Sequence, residues 1–412
     1  MYDWLERAAA RRPETIALEA VGDRTLTYAQ LLTAARRAAA ARKTPSTKQV
    51  VAPTRGVAHI QTSGARFAVS LHGALLAGVT AVPVDGRLSV TERRLRHVAE
   101  PPGPDVATVM FTSGTTAAPK PVHLTLANWE ANAIGSALAL GLDRNERWLC
   151  VMPLAHVGGL SILLRSTLYA TTVVLHERYD TEAVLAELMD PKRAITLVSV
   201  VPTMLSRLLD AGLSRPPTLR FALLGGGPIP PSLVARAAAA GVPVATTYGM
   251  TEGCSQLATF GFALHGVTLQ VAADGEVLVR GASIAANTLS EDGWLHTGDI
   301  GALDANKRLR IIGRRSETIV SGGENVAPAE VEAVLLEHPA VADAGVFAKP
   351  DPEWGERVVA AVVLRSGQQA SPQELERHVA ERLARFKVPK EIEFRPSLPR
   401  TVSGKLLRRQ LA

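Results

Sequence analysis

The sequence predicts an α/β protein: a large N-terminal domain of helix-covered sheets followed by a small α+β domain. Three observations carry this. Between about residues 57 and 312, short β-rich runs alternate with helical stretches, as in parallel sheets covered by helices. The pattern breaks at Gly313-Arg314-Arg315-Ser316, and the residues beyond follow a pattern of their own, which divides the chain into 1–313 and 314–412. A length of 412 residues suits two or three domains at roughly 150 residues each, and 47% hydrophobic residues are ample for their cores.

Residues 1–42 read as helical and alanine-rich, with Thr27 as an N-cap and Gln30 completing a capping box. Residues 43–56 are rich in Lys, Pro, Ser and Thr and read as a loop. Strands are expected at Thr171–Leu175, Ala194–Val201, Arg220–Leu224 and Val242–Thr247. Helices are expected at Leu126–Leu140, Thr181–Met189, Met204–Asp210 and Pro231–Ala240. In the smaller domain, Pro328 opens a helix with Val331, Val334 and Leu335 on one face, and Pro339 ends the run. Val358–Leu364 is a strongly apolar strand. Ser371 and Glu374 form a capping box before an apolar stripe of Leu375, Val379, Leu383 and Phe386.

The net charge of +6 comes from 45 basic against 39 acidic residues, and no basic block is long enough to suggest nucleic acid. Two cysteines, Cys150 and Cys254, provide neither a disulfide framework nor a zinc site. The longest apolar run, Phe67 to Val82, is broken by Ser, His and Gly and is too short for a bilayer. The N-terminus lacks a signal-peptide core. A cytoplasmic protein acting on small molecules is expected, with no membrane or nucleic-acid partner; a homo-oligomer is left open.

Phe111-Thr112-Ser113-Gly114-Thr115-Thr116-Ala117-Ala118-Pro119-Lys120 follows the buried run Val109-Met110. Four hydroxyls, a glycine and a lysine suit a polyphosphate, although a solvated Ser/Thr-rich turn has the same composition. It is not a Walker A loop, because the fixed glycines and the Lys-Ser/Thr ending are missing. Gly225-Gly226-Gly227 follows a strand and admits either a close-packed flat group or an ordinary strand-to-helix turn. Tyr248-Gly249-Met250-Thr251-Glu252 offers an aromatic face, a hydroxyl and a carboxylate, which suit a purine, a phosphate and magnesium. Asp299 suits two ribose hydroxyls, or a turn. Lys405, one of nine lysines against 36 arginines, lies in a Pro/Gly-flanked loop, where a lysine is either catalytic or simply solvated.

Taken in order, Thr112–Lys120, Tyr248–Glu252, Gly293–Asp299, Gly313–Glu332 and Pro399–Lys405 resemble the motifs of the adenylate-forming superfamily of acyl-CoA synthetases, adenylation domains and luciferases. Within it, Met152-Pro153-Leu154-Ala155-His156-Val157-Gly158-Gly159-Leu160, then Arg165, is similar to the o-succinylbenzoate–CoA ligases of menaquinone biosynthesis. Leu223–Pro228 and Ser321–Asn325 agree with that subgroup.

The resemblance implies a ligase that uses ATP and Mg2+ to form an acyl-adenylate, then coenzyme A to form a thioester. Thr112, Ser113, Gly114, Thr115, Thr116 and Lys120 would hold the β- and γ-phosphates, with Gly226 and Gly227 beside the nucleotide. Tyr248 would pack on adenine, Thr251 would contact the α-phosphate and Glu252 would hold the metal. Asp299 and Arg314 would take the ribose. Lys405 would bridge acyl and phosphate oxygens. His156, Arg165, Gly225 and Gly249 would border the acyl group. Gly322 and Gly323 would line the pantetheine tunnel once a mobile C-terminal domain rotates near Ser316. The chain departs from the superfamily at Ala117, Pro121 and Ser316, and its segment before Thr112 is some tens of residues shorter. The alternatives are another aryl- or acyl-CoA ligase and a stand-alone adenylation enzyme loading a carrier protein.

Overall fold

The computed structural model describes residues 2–43, 56–112, 119–401 and 404–412. Ser113, Gly114, Thr115 and Thr116, expected on the phosphates, lie outside the described residues.

A nine-stranded sheet is the centre of the large N-terminal domain. Its inner strands are, in spatial order, Ile16–Ala20, Thr172–Leu175, Arg147–Cys150, Leu197–Val200, Phe221–Leu224 and Val244–Met250, all parallel. Thr172–Leu175 and Leu197–Val200 are buried at every position, as expected of strands covered on both faces. The helices Leu126–Leu140 and Thr181–Met189 match the sequence reading to the residue. A second sheet sets Val57–Ile60, Thr80–Pro83 and Val106–Thr112 in parallel, and the antiparallel strand Lys120–Thr125 follows Val106–Thr112 as a hairpin. The shortened N-terminal segment therefore still builds a sheet.

Four expectations are corrected. Residues 1–42 are not continuously helical: Trp4–Arg11 and Tyr28–Lys43 flank a hairpin of Ile16–Ala20 and Thr25–Thr27. Pro13 cannot continue the first helix, and Gly22, at φ +76°, makes the turn. The Thr27–Gln30 capping box is present in both directions, at 3.0 and 3.3 Å. Residues 267–314 form an antiparallel four-stranded sheet without intervening α-helices, outside the expected alternation. The strand expected at Val242–Thr247 runs instead from Val244 to Met250, so Tyr248 lies within the strand. Leu197–Val200 is shorter than expected because Ala194 is left-handed, at φ +49°.

The smaller C-terminal domain has a five-stranded sheet whose longest pair is Val341–Asp351 with Gly355–Leu364. Val331, Leu335, Leu375 and Val379, from Pro328–Leu335 and Pro372–Ala380, enter its core. Ser371 caps the second helix by accepting from the Glu374 amide at 3.2 Å. Leu383 and Phe386 pack on the same core beyond the end of that helix. The two domains meet where the Gly404 backbone packs on Val201 and where Arg365 pairs with Asp210 at 3.1 Å. Cys150 and Cys254 are both buried and free. Among the described residues, no helix is long and apolar enough to cross a membrane.

Candidate active site

Parallel sheets gather ligands at the carboxyl ends of their strands. That is where Met152, Val201, Gly225 and Thr251 emerge. The antiparallel sheet contributes the charged floor. Asp299 and Arg314 are cross-strand partners in Leu295–Leu303 and Leu309–Arg314, and the Arg314 Nε donates to Asp299 at 2.7 Å. The Tyr248 hydroxyl donates to the other Asp299 oxygen at 2.8 Å. Asp299 is only 5% exposed and sits within a strand, which disposes of the turn alternative. One carboxylate thus joins the aromatic and guanidinium groups that the sequence reading assigned separately to adenine and ribose.

Lys405 reaches the same floor from the C-terminal domain. Its loop is closed by the Lys405 amide donating to the Thr401 hydroxyl at 3.0 Å and the Thr401 amide donating to the Lys405 carbonyl at 2.7 Å. Burial lowers the pKa of its ammonium and Arg314 adds to this, while Glu317 and Asp299 oppose it. The side chain is therefore a half-buried cation within electrostatic reach of Asp299 and Arg314, not a solvated surface lysine. Downstream, Arg408 donates from Nε to Glu317 at 3.2 Å and from Nη1 to Glu332, tying this tail to the turn Arg315–Glu317 that contains Ser316.

Thr251 and Glu252 lie in a tight 3-10 turn between Val244–Met250 and Ser255–Thr259. Burial raises the pKa of the Glu252 carboxyl, partly offset by Arg314 and Lys120. The carboxylate forms no ion pair among the described residues. An unpaired carboxylate beside a hydroxyl fits a hard cation, and Glu252 would hold magnesium there. No group of three His, Cys, Asp or Glu side chains that could hold a metal occurs among the described residues, so water and phosphate oxygens would complete its shell. Thr112 and Lys120 are cross-strand partners in the antiparallel pair Val106–Thr112 and Lys120–Thr125. Lys120 is within electrostatic reach of Glu252 and lowers the pKa of its carboxyl.

Gly249 is where the hairpin behind this turn closes most tightly. A Cβ there would stand 1.6 Å from the Ser255 carbonyl oxygen, so the two strands could not keep their register. Gly249→Ala should therefore lose about 3 kcal/mol or more of stability, read as a fall in the urea midpoint, the scale of severe overpacking. A wild-type midpoint would show that the strands part cheaply.

On the acyl side, His156 precedes the helix Val157–Tyr169 and is half-buried. Burial lowers its pKa, opposed by Asp85 and reinforced by Arg87 and Arg96, three charges not singled out in the sequence. Gly225 abuts Thr247, Gly226 abuts Val201 beneath Gly404, and Gly227 is more open. Arg165 lies inside the same helix and is 2% exposed. It donates from Nη2 to the Asn132 side-chain oxygen and lies 5.9 Å from the centre of the Trp148 ring. Its Nε has no partner, and among the described residues it forms no ion pair. Burial pulls its pKa down to about 10. Gly322 packs on Trp354 within the smaller domain, and Gly323 faces open space, so neither is brought to the Asp299 cluster.

Sequence reasoning passed over Asn132, Gln256 and Arg408. The signal for Asn132 was available: Trp129, Asn132, Ala133 and Ser136 share one helical face, and two polar residues on a buried face need partners.

The model of the AMP-binding enzyme family matches residues 91–276, and that of its C-terminal domain matches residues 330–405. The chain belongs to this family. A 2-succinylbenzoate–CoA ligase from Bacillus licheniformis is 37% identical over 481 aligned positions, covering 99% of each chain. The o-succinylbenzoate CoA synthetase of Bacillus subtilis, in complex with the acyl-adenylate intermediate, superposes with a TM-score of 0.87 at 35% identity, covering 100% of this chain and 98% of that one. A double mutant of the same synthetase bound to a product analogue, at 35% identity and the same coverage, gives 0.69. The arrangement of this chain is thus nearer to that of the acyl-adenylate complex.

Proposed function

We propose that the chain is an AMP-forming acid–thiol ligase that converts o-succinylbenzoate to its coenzyme A thioester, a step of menaquinone biosynthesis. A carboxylate is a poor electrophile. ATP first turns it into an acyl-adenylate with release of pyrophosphate, and the thiol of coenzyme A then displaces AMP. The observation that carries this reading is the convergence of Lys405 on Asp299 and Arg314 beside Glu252. It supports a role for this lysine in meeting the charge that develops between the acyl and phosphate oxygens.

In this reading Tyr248, Asp299 and Arg314 hold adenine and ribose, while Thr251 and Glu252 take the α-phosphate and magnesium. Lys120, Thr112 and the hydroxyls of 113–116 take the outer phosphates. Gly226 and Gly227 flank the nucleotide, and His156, Gly225 and Gly249 border the acid. Gly322 and Gly323 receive the pantetheine arm after the smaller domain turns near Ser316. The division at 313/314 marks the moving part. With ATP and coenzyme A as its reactants, the enzyme works in the cytoplasm on small molecules.

Arg165 selects the acid. It is a buried guanidinium with an unpartnered Nε and no carboxylate neighbour among the described residues, and such a charge calls for an anion. The second carboxylate of o-succinylbenzoate supplies one. A panel of carboxylic acids in an ATP–pyrophosphate exchange assay, followed by coenzyme A and thioester detection, tests the reading. o-Succinylbenzoate should exceed benzoate and short aliphatic acids by about 10²-fold in kcat/KM. A preference for monocarboxylates, or adenylation with no thioester formed, would overturn it.

A further inference from the structure

We propose that Asn132 is a positioning residue that holds the Thr251–Glu252 turn in the shape that binds magnesium and phosphate. The proposal rests on the assignment of Glu252 to the metal. The turn closes through two consecutive non-glycine residues in left-handed conformation, Cys254 at φ +58° and Ser255 at φ +102°. Such backbone persists only where its surroundings over-determine it. On one side, the Ala285 amide fixes the Glu252 carbonyl at 2.8 Å. On the other side stands Asn132, 1% exposed, on the helix Leu126–Leu140.

Both amide hydrogens of Asn132 are used on this hairpin: Nδ2 donates to the Gly253 carbonyl at 2.9 Å and to the Gln256 carbonyl at 2.7 Å. These carbonyls flank the left-handed pair, so one side chain clamps it from both ends. The remaining oxygen of Asn132 accepts from Arg165, which fixes which end of the amide faces the turn. Gln256 is held in turn by Ser136, whose hydroxyl donates to its side-chain oxygen at 2.7 Å. The Gln256 amide then donates to Thr259 at 3.0 Å. All of these side chains are buried, so each lost bond leaves a polar group without water. The clamp acts on Glu252 through the backbone and touches neither nucleotide nor acid.

Asn132→Asp separates this role from simple satisfaction of Arg165. The carboxylate keeps the size, gives the guanidinium a counter-charge and removes both donors to the turn. The magnesium concentration for half-maximal adenylation should rise about 10-fold, as expected for loss of two buried hydrogen bonds that orient a ligand. In thermal melts, the extra stabilisation that magnesium adds to ATP should shrink, while the shift with ATP and chelator stays as in wild type. Because the new carboxylate also competes for Arg165 with the second acid group of the substrate, both half-reactions are read at saturating acid and acyl-adenylate, where thioester formation should keep its rate. Ser136→Ala, a milder change in the same network, should move the magnesium midpoint about 3-fold in the same direction, and it decides the matter if Asn132→Asp does not fold. A wild-type magnesium midpoint in the folded variant, or an equal loss in both half-reactions, would overturn the proposal. Glu252→Gln is measured alongside: if it leaves the midpoint unchanged, the metal assignment itself falls and the clamp with it. If only Asn132→Asp leaves it unchanged, the clamp alone falls.

Discussion

Lys405→Ala should lower acyl-adenylate formation by about 10²-fold or more, the scale of removing one charged donor from a developing oxyanion. Lys405 is half-buried within electrostatic reach of Asp299 and Arg314, and the other described cation of its loop, Arg400, is turned to Asp343. The expected loss is therefore in kcat for ATP–pyrophosphate exchange. Thioester formation from pre-made acyl-adenylate should be largely spared. The protonated lysine is the active form, and burial places its pKa below that of an ordinary lysine. Adenylation should therefore fall on the alkaline side earlier than a solvated lysine would dictate, and Lys405→Arg should move that limb upward. Equal loss of both half-reactions in the alanine variant would remove Lys405 from its assigned step.

Arg165→Ala should cut kcat/KM for o-succinylbenzoate by about 10²-fold, matching ~2–3 kcal/mol for a charged hydrogen bond. The structure narrows the competing explanation. An internal Asp or Glu would have made Arg165 a purely structural cation, and no such partner is present among the described residues. Its neighbours are the Asn132 amide and the Trp148 ring. Activity with benzoate should change much less than activity with o-succinylbenzoate, and ATP affinity should be nearly unaltered. Equal loss with both acids, together with early melting, would return Arg165 to the core.

Much of this site was legible because its chemistry is carried by short runs that follow strands. Tyr248, Thr251 and Glu252 needed only their order, and Asp299 and Arg314 needed the cross-strand register of one antiparallel pair. What the chain did not disclose is where separately placed elements meet. Asn132 and Gln256 are 124 positions apart, and neither belongs to a motif, yet one amide joins them. The Ile16–Thr27 hairpin was overlooked because an alanine-rich stretch on each side favours helix, and pairing with Thr172–Leu175 decides the matter from far along the chain. The antiparallel sheet at 267–314 escaped for a related reason: its alternation is interrupted by bulges at Glu276/Leu278 and Ile300/Gly301.

The contact of Gly404 with Val201 bears on how Lys405 is placed. A Cβ at residue 404 would lie 2.8 Å from a Val201 methyl, so the lysine-bearing loop fits through the absence of a side chain. The contact at Gly404 itself holds no ion pair that leaving would break. The nearby Asp210–Arg365 pair is exposed enough that water replaces it at little cost, about 0–1 kcal/mol. A seat of this kind grips by shape: residue 404 tolerates no side chain, so the placement of Lys405 depends on a hydrogen atom standing where every other residue carries a carbon.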